Sequence, residues 1–137
     1  SESMTQPSES EILSKEHESV NIQIAVGDTT FTAIPEENSS ADALIALLEK
    51  GPITVHMSDY AGMEKVGSLG TSLPRNDTYI SVDAGDVILY QGNQITIYYG
   101  TNSWSFTKLA VIQNATKERL LEALGSNDVD VTFSLAE

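Results

Sequence analysis

The stretch DVILYQGNQITIYYG, residues 86–100, decides the fold of this chain. Residues 87–90 and 94–99 are rich in β-branched and aromatic side chains, which favour strands. Between them, Gln91, Gly92 and Asn93 supply the residue types typical of a tight hairpin turn. The sequence therefore predicts an antiparallel hairpin at this point.

Similar patterns on both sides of the hairpin extend the prediction to the rest of the chain. Period-two alternation and turn residues give six further strands, at residues 20–26, 31–34, 53–57, 78–82, 105–112 and 129–133. Helices are predicted at residues 41–50, which Gly51 and Pro52 end, and from a cap at Thr116 to about Leu124, which Gly125 ends. Residues 58–76 contain three glycines and a proline and are predicted to be irregular.

Eight strands and two short helices indicate a mainly β protein. Hairpin connections make its sheet antiparallel, and eight strands suffice to close a barrel filled by its own side chains. We therefore expect a closed, roughly eight-stranded antiparallel barrel with the two helices capping its ends. A chain of 137 residues fits one such domain, which we assign to residues 20–137.

The first 19 residues have a different character. They are rich in serine and glutamate and carry too few apolar side chains to order themselves, so residues 1–19 are predicted to be a disordered polar tether. Bacterial lipoproteins have such tethers between the lipid anchor and the folded domain. We therefore expect an extracytoplasmic, membrane-tethered protein, with a cytoplasmic location as the alternative. The apolar runs of the chain are too short for a transmembrane segment.

Charge and composition disfavour several classes of function. The net charge of −13, with lysines and arginines scattered singly, disfavours binding to nucleic acids and anionic membranes. The absence of cysteine excludes disulfides and thiolate chemistry. Neither a Gly-x-Ser-x-Gly motif nor phosphate-loop spacing occurs. Asp83 with Asp86, and Asp128 with Asp130, are typical of turns. No metal and no cofactor are therefore expected.

Three stretches of the sequence carry a family resemblance: residues 84–100, residues 120–133 with the segments LLEALGS and VDVTF, and MSDYAG at 57–62 followed by LPRND at 73–77. They resemble small bacterial cyclophilin-like proteins. The order of predicted elements is similar too, and the resemblance covers about residues 20–135. It implies a barrel of the cyclophilin type.

The resemblance also raises the question of whether the protein isomerises prolyl bonds. Cyclophilins isomerise X–Pro bonds, which interconvert slowly without a catalyst, and use an arginine in a Phe-His-Arg motif. This chain has Val55-His56-Met57 at the matching position, so methionine replaces that arginine. Arg75 is the candidate to supply a relocated guanidinium. Whether the protein is an enzyme is left open at this point.

A ligand pocket on the barrel is predicted from methionine, aromatic and basic side chains near this motif. Its candidate residues are His56, Met57, Tyr60, Met63, Arg75, Tyr98, Trp104 and Phe106. For Met57, Tyr98 and Phe106 the favoured interpretation is that they fill the barrel, and for His56 a structural role. Trp104 follows a loop, and for this residue a role in ligand contact is as well supported as plain packing.

Three functions are compatible with these residues. The preferred hypothesis is a binding module for an extended peptide or a small apolar ligand. The alternative is a prolyl isomerase that uses Arg75. A third is an adaptor for a partner protein or a fused flavin-type domain.

Overall fold

Nine strands and two helices make up residues 20–136, the part of the chain that a computed structural model describes. The strands are β1 (Ile22–Val26), β2 (Thr29–Pro35), β3 (Ile53–Tyr60), β4 (Glu64–Ser68), β5 (Thr78–Val82), β6 (Asp86–Tyr90), β7 (Gln94–Tyr98), β8 (Asn102–Ile112) and β9 (Val129–Leu135). The helices are α1 (Ser39–Leu48) and α2 (Lys117–Leu124). The predicted tether, residues 1–19, lies outside the described residues.

Eight of these strands close into an antiparallel barrel. Their order is β2-β1-β9-β3-β4-β7-β6-β8, and β8 pairs back with β2. The C-terminal strand β9 thus lies between β1 and β3, pairing with both. The predicted closed, eight-stranded, mainly β fold with two helices is confirmed.

The set of strands that form the barrel differs from the prediction in two places. Residues 58–76 were expected to be irregular, but they contain the end of β3 and the whole of β4. Strand β4 was missed because its buried position Lys65 is charged and Gly67 weakens the strand pattern. Conversely, β5 was expected in the barrel, but it pairs only with β8, over Asn102 to Phe106. This two-stranded ribbon of β5 and the first half of β8 lies beside the barrel as an extra layer.

The barrel interior is packed with aliphatic side chains. Leu89, Ile95, Leu109 and Met57 are all fully buried there, and residues along most of the strands alternate between the inner and outer faces. Met57 therefore fills the barrel, as the sequence suggested. Such packing removes most of the apolar surface of the domain from water, which is the main stabilising contribution to folding.

The two helices cover opposite ends of the barrel. Helix α1 joins the end of β2 to the start of β3, and α2 joins the end of β8 to the start of β9. Each begins with a side-chain cap, because Asn38 accepts a hydrogen bond from the Ala41 amide and Thr116 accepts one from the Arg119 amide. Leucines on their inner faces complete the interior, namely Leu44, Leu48, Leu120 and Leu124. Neither helix is long and apolar enough to cross a bilayer.

The loop at residues 69–77 closes the barrel end that α1 covers. Its Leu69 and Leu73 are buried in the interior core. The Leu69 amide donates to the Asn93 carbonyl oxygen over 3.0 Å, and the Leu73 amide donates to the Gly92 carbonyl oxygen over 2.7 Å. These two hydrogen bonds hold the loop on the turn of the β6–β7 hairpin, so the loop has a defined path.

Lys65 points into the opposite end of the barrel and is fully buried. Its Nζ donates to the Asn127 carbonyl oxygen over 2.7 Å and lies 3.5 Å from Asp59 Oδ1. The hydroxyl of Tyr99 also donates to Asp59. This bond, helped by Lys65, lowers the pKa of Asp59, and burial with the nearby carboxylate raises the pKa of Tyr99 to about 12. The lysine is thus accommodated by partners rather than by water.

A second group of buried side chains lies on the outside of the barrel wall. This outer cluster consists of Val82, Ile88, Tyr98 and Phe106. Tyr98 and Phe106 were expected inside the barrel, and that expectation is wrong. The reason is strand alternation: Ile97 points inwards and places Tyr98 outside, where the ribbon of β5 and β8 covers it.

Candidate functional site

A cavity of about 410 Å³ opens beside the outer cluster, between the barrel wall and the ribbon. We call it the outer cavity. Aromatic rings make up half of its ten lining residues, and these are Tyr60, Tyr90, Tyr98, Trp104 and Phe106. The remaining lining residues are Met63, Glu64, Val66, Gln94 and Asn102.

The floor of the outer cavity is built by strand register. Tyr60 of β3 pairs with Glu64 of β4, and Glu64 pairs with Tyr98 of β7. Directly paired residues in a sheet point to the same face, so these three side chains form one row across three strands. Val66 and Gln94 lie further along the same face of β4 and β7.

The opposite wall comes from the first half of β8. Asn102, Trp104 and Phe106 alternate along this strand and line the cavity. Phe106 packs edge-to-face against Tyr98 and Tyr90, with ring centroids 5.8 Å and 6.1 Å apart. The aromatic floor and wall are therefore in contact with each other.

Two large aromatic side chains at the cavity remain open to solvent. Trp104 is 57% exposed and Tyr60 is 59% exposed. Tyr79 is exposed as well, at 72%, but it pairs with Ser105 and so points to the opposite face of the ribbon from Trp104. Exposed aromatics at the mouth of a cavity are typical of ligand contacts.

Glu64 gives the outer cavity its only acidic group, and the side chain is almost buried, at 8% exposure. Burial raises the pKa of its carboxyl group, interaction with the Tyr98 hydroxyl partly offsets this, and the charge of Asp59 adds to the rise. Burial also raises the pKa of Tyr98 well above its ordinary range. The ten lining residues include no lysine, arginine or histidine.

Five of the eight predicted pocket residues line the outer cavity, and three do not. Tyr60, Met63, Tyr98, Trp104 and Phe106 come together there. Met57 faces the barrel interior and is closed off from the cavity.

His56 lies on the outside of β3 beside β9. Its Nδ1 is 2.8 Å from Asp130 Oδ1, and its Nε2 is 3.2 Å from Asp128 Oδ2. Hydrogen bonding to Asp130, and then to Asp128, raises the pKa of His56. The two aspartates, which the sequence suggested were turn residues, thus hold an exposed histidine. Across residues 20–136, no group of three or more histidine and acidic side chains is arranged to hold a metal ion.

Arg75 is held away from the outer cavity by its own loop. Its Nε and Nη2 donate to Asp77 Oδ2 over 2.9 Å and 2.5 Å. The Thr107 hydroxyl donates to the other oxygen of Asp77 over 2.6 Å, which fixes the carboxylate against β8. The guanidinium is therefore engaged in an ion pair and is absent from the cavity lining.

Sequence reasoning missed the other half of the lining, which is Glu64, Val66, Tyr90, Gln94 and Asn102. Tyr90 and Gln94 could have been found, because they occupy outward positions of the hairpin that decides the fold. Glu64 and Val66 gave no signal, since the strand that carries them was not recognised.

Two other surface depressions, of about 380 Å³ and 450 Å³, have a different lining. One lies at the start of α2 beside Asp83 and Lys117, and the other lies along residues 81–83 and 101–103. Small and polar residues dominate both. Ligand sites are generally walled by apolar and aromatic groups with a few polar ones, so the outer cavity is the best candidate.

Comparison with known proteins adds one finding. A sequence model described as the cyclophilin-like family matches residues 24–134, a range that runs from β1 to β9 and contains every lining residue of the outer cavity. A search of curated proteins found no match to the chain.

Proposed function

The chain belongs to the cyclophilin-like family, and from this premise we propose that its barrel is a binding module that receives an extended peptide or a small ligand in the outer cavity. The observation that carries the proposal is the half-exposed Trp104, which lines the cavity together with the buried rings of Tyr98 and Phe106. Tryptophan is enriched among residues that dominate binding energies. Its large apolar surface loses contact with water when a ligand covers it.

The size and walls of the outer cavity support a ligand with an apolar part. Small-molecule sites typically enclose about 300–1,000 Å³, and this cavity measures about 410 Å³. The five aromatic rings of the lining suit one side chain of an extended peptide or one compact organic molecule. Asn102 and Gln94 add hydrogen-bonding groups that can orient such a ligand.

The position of Arg75 supports binding over prolyl isomerisation. The isomerase hypothesis requires a guanidinium beside the bound prolyl amide, whereas Arg75 pairs with Asp77 outside the cavity lining. A protease-coupled assay on X–Pro peptides tests this directly. We expect no acceleration by the wild-type protein, and acceleration that disappears in Arg75→Ala would favour the isomerase instead.

The proposal includes a location outside the cytoplasm, which rests on the Ser/Glu-rich composition of residues 1–19. Fractionation of cells that produce the native protein tests it. Recovery with the membrane and release by a lipid-cleaving treatment are expected. Recovery with cytoplasmic proteins would contradict the location without affecting the binding role.

A ligand titration followed by amide chemical shifts tests the binding role. Proline-containing peptides and small aromatic compounds serve as probes, and shifts should appear at the outer cavity. Trp104→Ala should weaken binding about tenfold, equivalent to about 1.4 kcal/mol. Tyr79→Ala is the matched control, because this aromatic residue is also exposed on the ribbon but points away from the cavity.

The Tyr79→Ala control should leave both affinity and stability unchanged. Equal losses in the two variants, or shifts confined to another face of the barrel, would contradict the proposed site.

A further inference from the structure

We infer that the outer cavity selects a small organic cation whose alkylated ammonium group is held between the Glu64 carboxylate and the surrounding aromatic rings. This inference rests on the proposed function and specifies the chemistry of the ligand.

The first step is the position of the Glu64 charge. The side chain is more than nine-tenths buried and lines the cavity. A carboxylate withdrawn from water is costly unless a cation or hydrogen bonds compensate it. None of the ion pairs found among residues 20–136 includes Glu64, so these residues provide the acid with no counter-ion.

The neighbouring lysine cannot neutralise Glu64. Lys65 follows it in the chain, but strand alternation sends the two side chains to opposite faces of β4. Lys65 Nζ is engaged inside the barrel with the Asn127 carbonyl oxygen and Asp59. The positive charge closest in sequence is therefore committed elsewhere and does not pair with Glu64.

The aromatic rings supply the second part of the site. The faces of tryptophan and tyrosine rings carry partial negative charge, which attracts cations within about 6 Å. Tyr60 and Tyr98 are the strand-pairing neighbours of Glu64, and Trp104 lines the same cavity. Several rings and one carboxylate around a small space are the arrangement that recognises alkylated ammonium groups.

An ammonium group suits the carboxylate better than a guanidinium does. Guanidinium groups gain most from two parallel hydrogen bonds to both oxygens of a free carboxylate. Here the Tyr98 hydroxyl interacts with the Glu64 carboxyl group. The carboxyl group therefore already has one hydrogen-bonding partner, and a ligand with a single charged centre needs less of it than a bidentate guanidinium does. The net charge of −13 further attracts cations to the molecule.

The test compares choline with 3,3-dimethyl-1-butanol, which has the same shape but a carbon in place of the charged nitrogen. The fluorescence of Trp104, the single tryptophan of the chain, reports binding at the cavity itself. Choline should bind about tenfold more tightly than the neutral analogue, the discrimination expected for a partly desolvated cation site.

Glu64→Gln removes the charge and keeps the shape of the side chain. In this variant the preference for choline should fall about tenfold, while the weak binding of the neutral analogue persists. Glu49→Gln is the matched control, because it removes the same charge from an exposed position beyond α1. The control should keep the wild-type preference, and circular dichroism should show that both variants are folded.

The outcomes separate this inference from the proposed function. Equal affinity for the two probes, an unchanged preference in Glu64→Gln, or no binding of choline at millimolar concentrations would overturn the inference. Binding of neutral apolar peptides at the same cavity would then leave the proposed function standing. A lysine-containing peptide that binds while choline does not would also overturn it, since the recognised cation would be part of a peptide.

Discussion

The barrel interior and the outer cluster are both buried, but they differ in chemistry and closure. The interior is mainly aliphatic and is sealed by α1, α2 and the loop at residues 69–77. The outer cluster is half aromatic and opens directly into a cavity. A single strand supplies both, since Leu89 points inwards and Ile88 points outwards. The comparison suggests that one face of the wall stabilises the fold and the other face is available for binding.

The largest expected effect comes from truncating this adjacent pair. Leu89→Ala leaves a void in a sealed core and should lower the free energy of unfolding by about 2–5 kcal/mol. Ile88→Ala should cost less, about 1–3 kcal/mol, because its neighbours Tyr98 and Phe106 border the open cavity and can relax. Urea denaturation measures both values. Equal costs would show that the outer cluster is as tightly packed as the interior.

The buried lysine offers the next test, since it is a fully buried charged side chain in a mainly aliphatic interior. Lys65→Met keeps the length of the side chain but leaves the Asn127 carbonyl oxygen without its donor. We expect a loss of about 1–3 kcal/mol in the free energy of unfolding, the cost of a buried group left unsatisfied.

Lys50→Met is the control for Lys65→Met, because it changes an exposed lysine and should alter stability by no more than about 0.5 kcal/mol. A Lys65→Met variant as stable as this control would show that the buried amine contributes nothing.

Replacement of Glu64 is expected to have a smaller effect on stability, and it should stabilise the fold rather than destabilise it. Folding raises the pKa of this carboxyl group above its ordinary value of 4.5, mainly through burial. A raised pKa means that the folded state holds the proton more tightly, so stability falls as the pH rises from 4.5 through the raised value. Glu64→Gln removes this loss and should have a slightly higher Tm at neutral pH, with the difference vanishing below pH 4.5.

The Tm of Glu64→Gln also separates two roles. A side chain that serves binding can lower the stability of the fold, so its removal can raise the Tm. Removal of a side chain that holds the fold together lowers the Tm. A lower Tm in Glu64→Gln at neutral pH would assign Glu64 to the fold.

The smallest effect concerns His56, on the polar outer surface away from both clusters. Its pKa is raised above 6.5 by Asp130 and then Asp128. Pairing of the protonated His56 with these aspartates stabilises the folded state. This contribution is fully present below pH 6.5 and is lost as the pH rises through the raised pKa. Asp130→Asn should shift the NMR titration midpoint of the His56 imidazole downwards. An unchanged midpoint would contradict the pairing.

The architecture could be predicted because its signals are local. The hairpin at residues 86–100 and the end of the second helix at Gly125 depend on short patterns of side chains and turns. Strand β4 could not be predicted, since Lys65 is buried through partners that are distant in sequence, including Asn127. Alternation alone cannot reveal a charged inward position that tertiary contacts satisfy.

The candidate site was predicted less completely for a related reason. The aromatic residues drew attention by type, so Trp104 and Phe106 were assigned to a pocket. Whether Tyr98 faces inwards or outwards depends on the register of β7 with β4, which the sequence does not show. Glu64 was not identified as a site residue because acidic side chains are abundant in this sequence. Its burial follows from the ribbon that folds over the barrel wall.

The place of β9 in the sheet has a consequence for how the barrel forms during synthesis. The ribosome makes this strand after every other described strand, yet the cylinder has a gap between β1 and β3 until it arrives. The nascent chain can build the β6–β7 hairpin early, but it cannot complete the ring before β9 leaves the exit tunnel. Closure of the barrel is thus a late step. Deletion of β9 should leave an open sheet with two unpaired strand edges, which should aggregate.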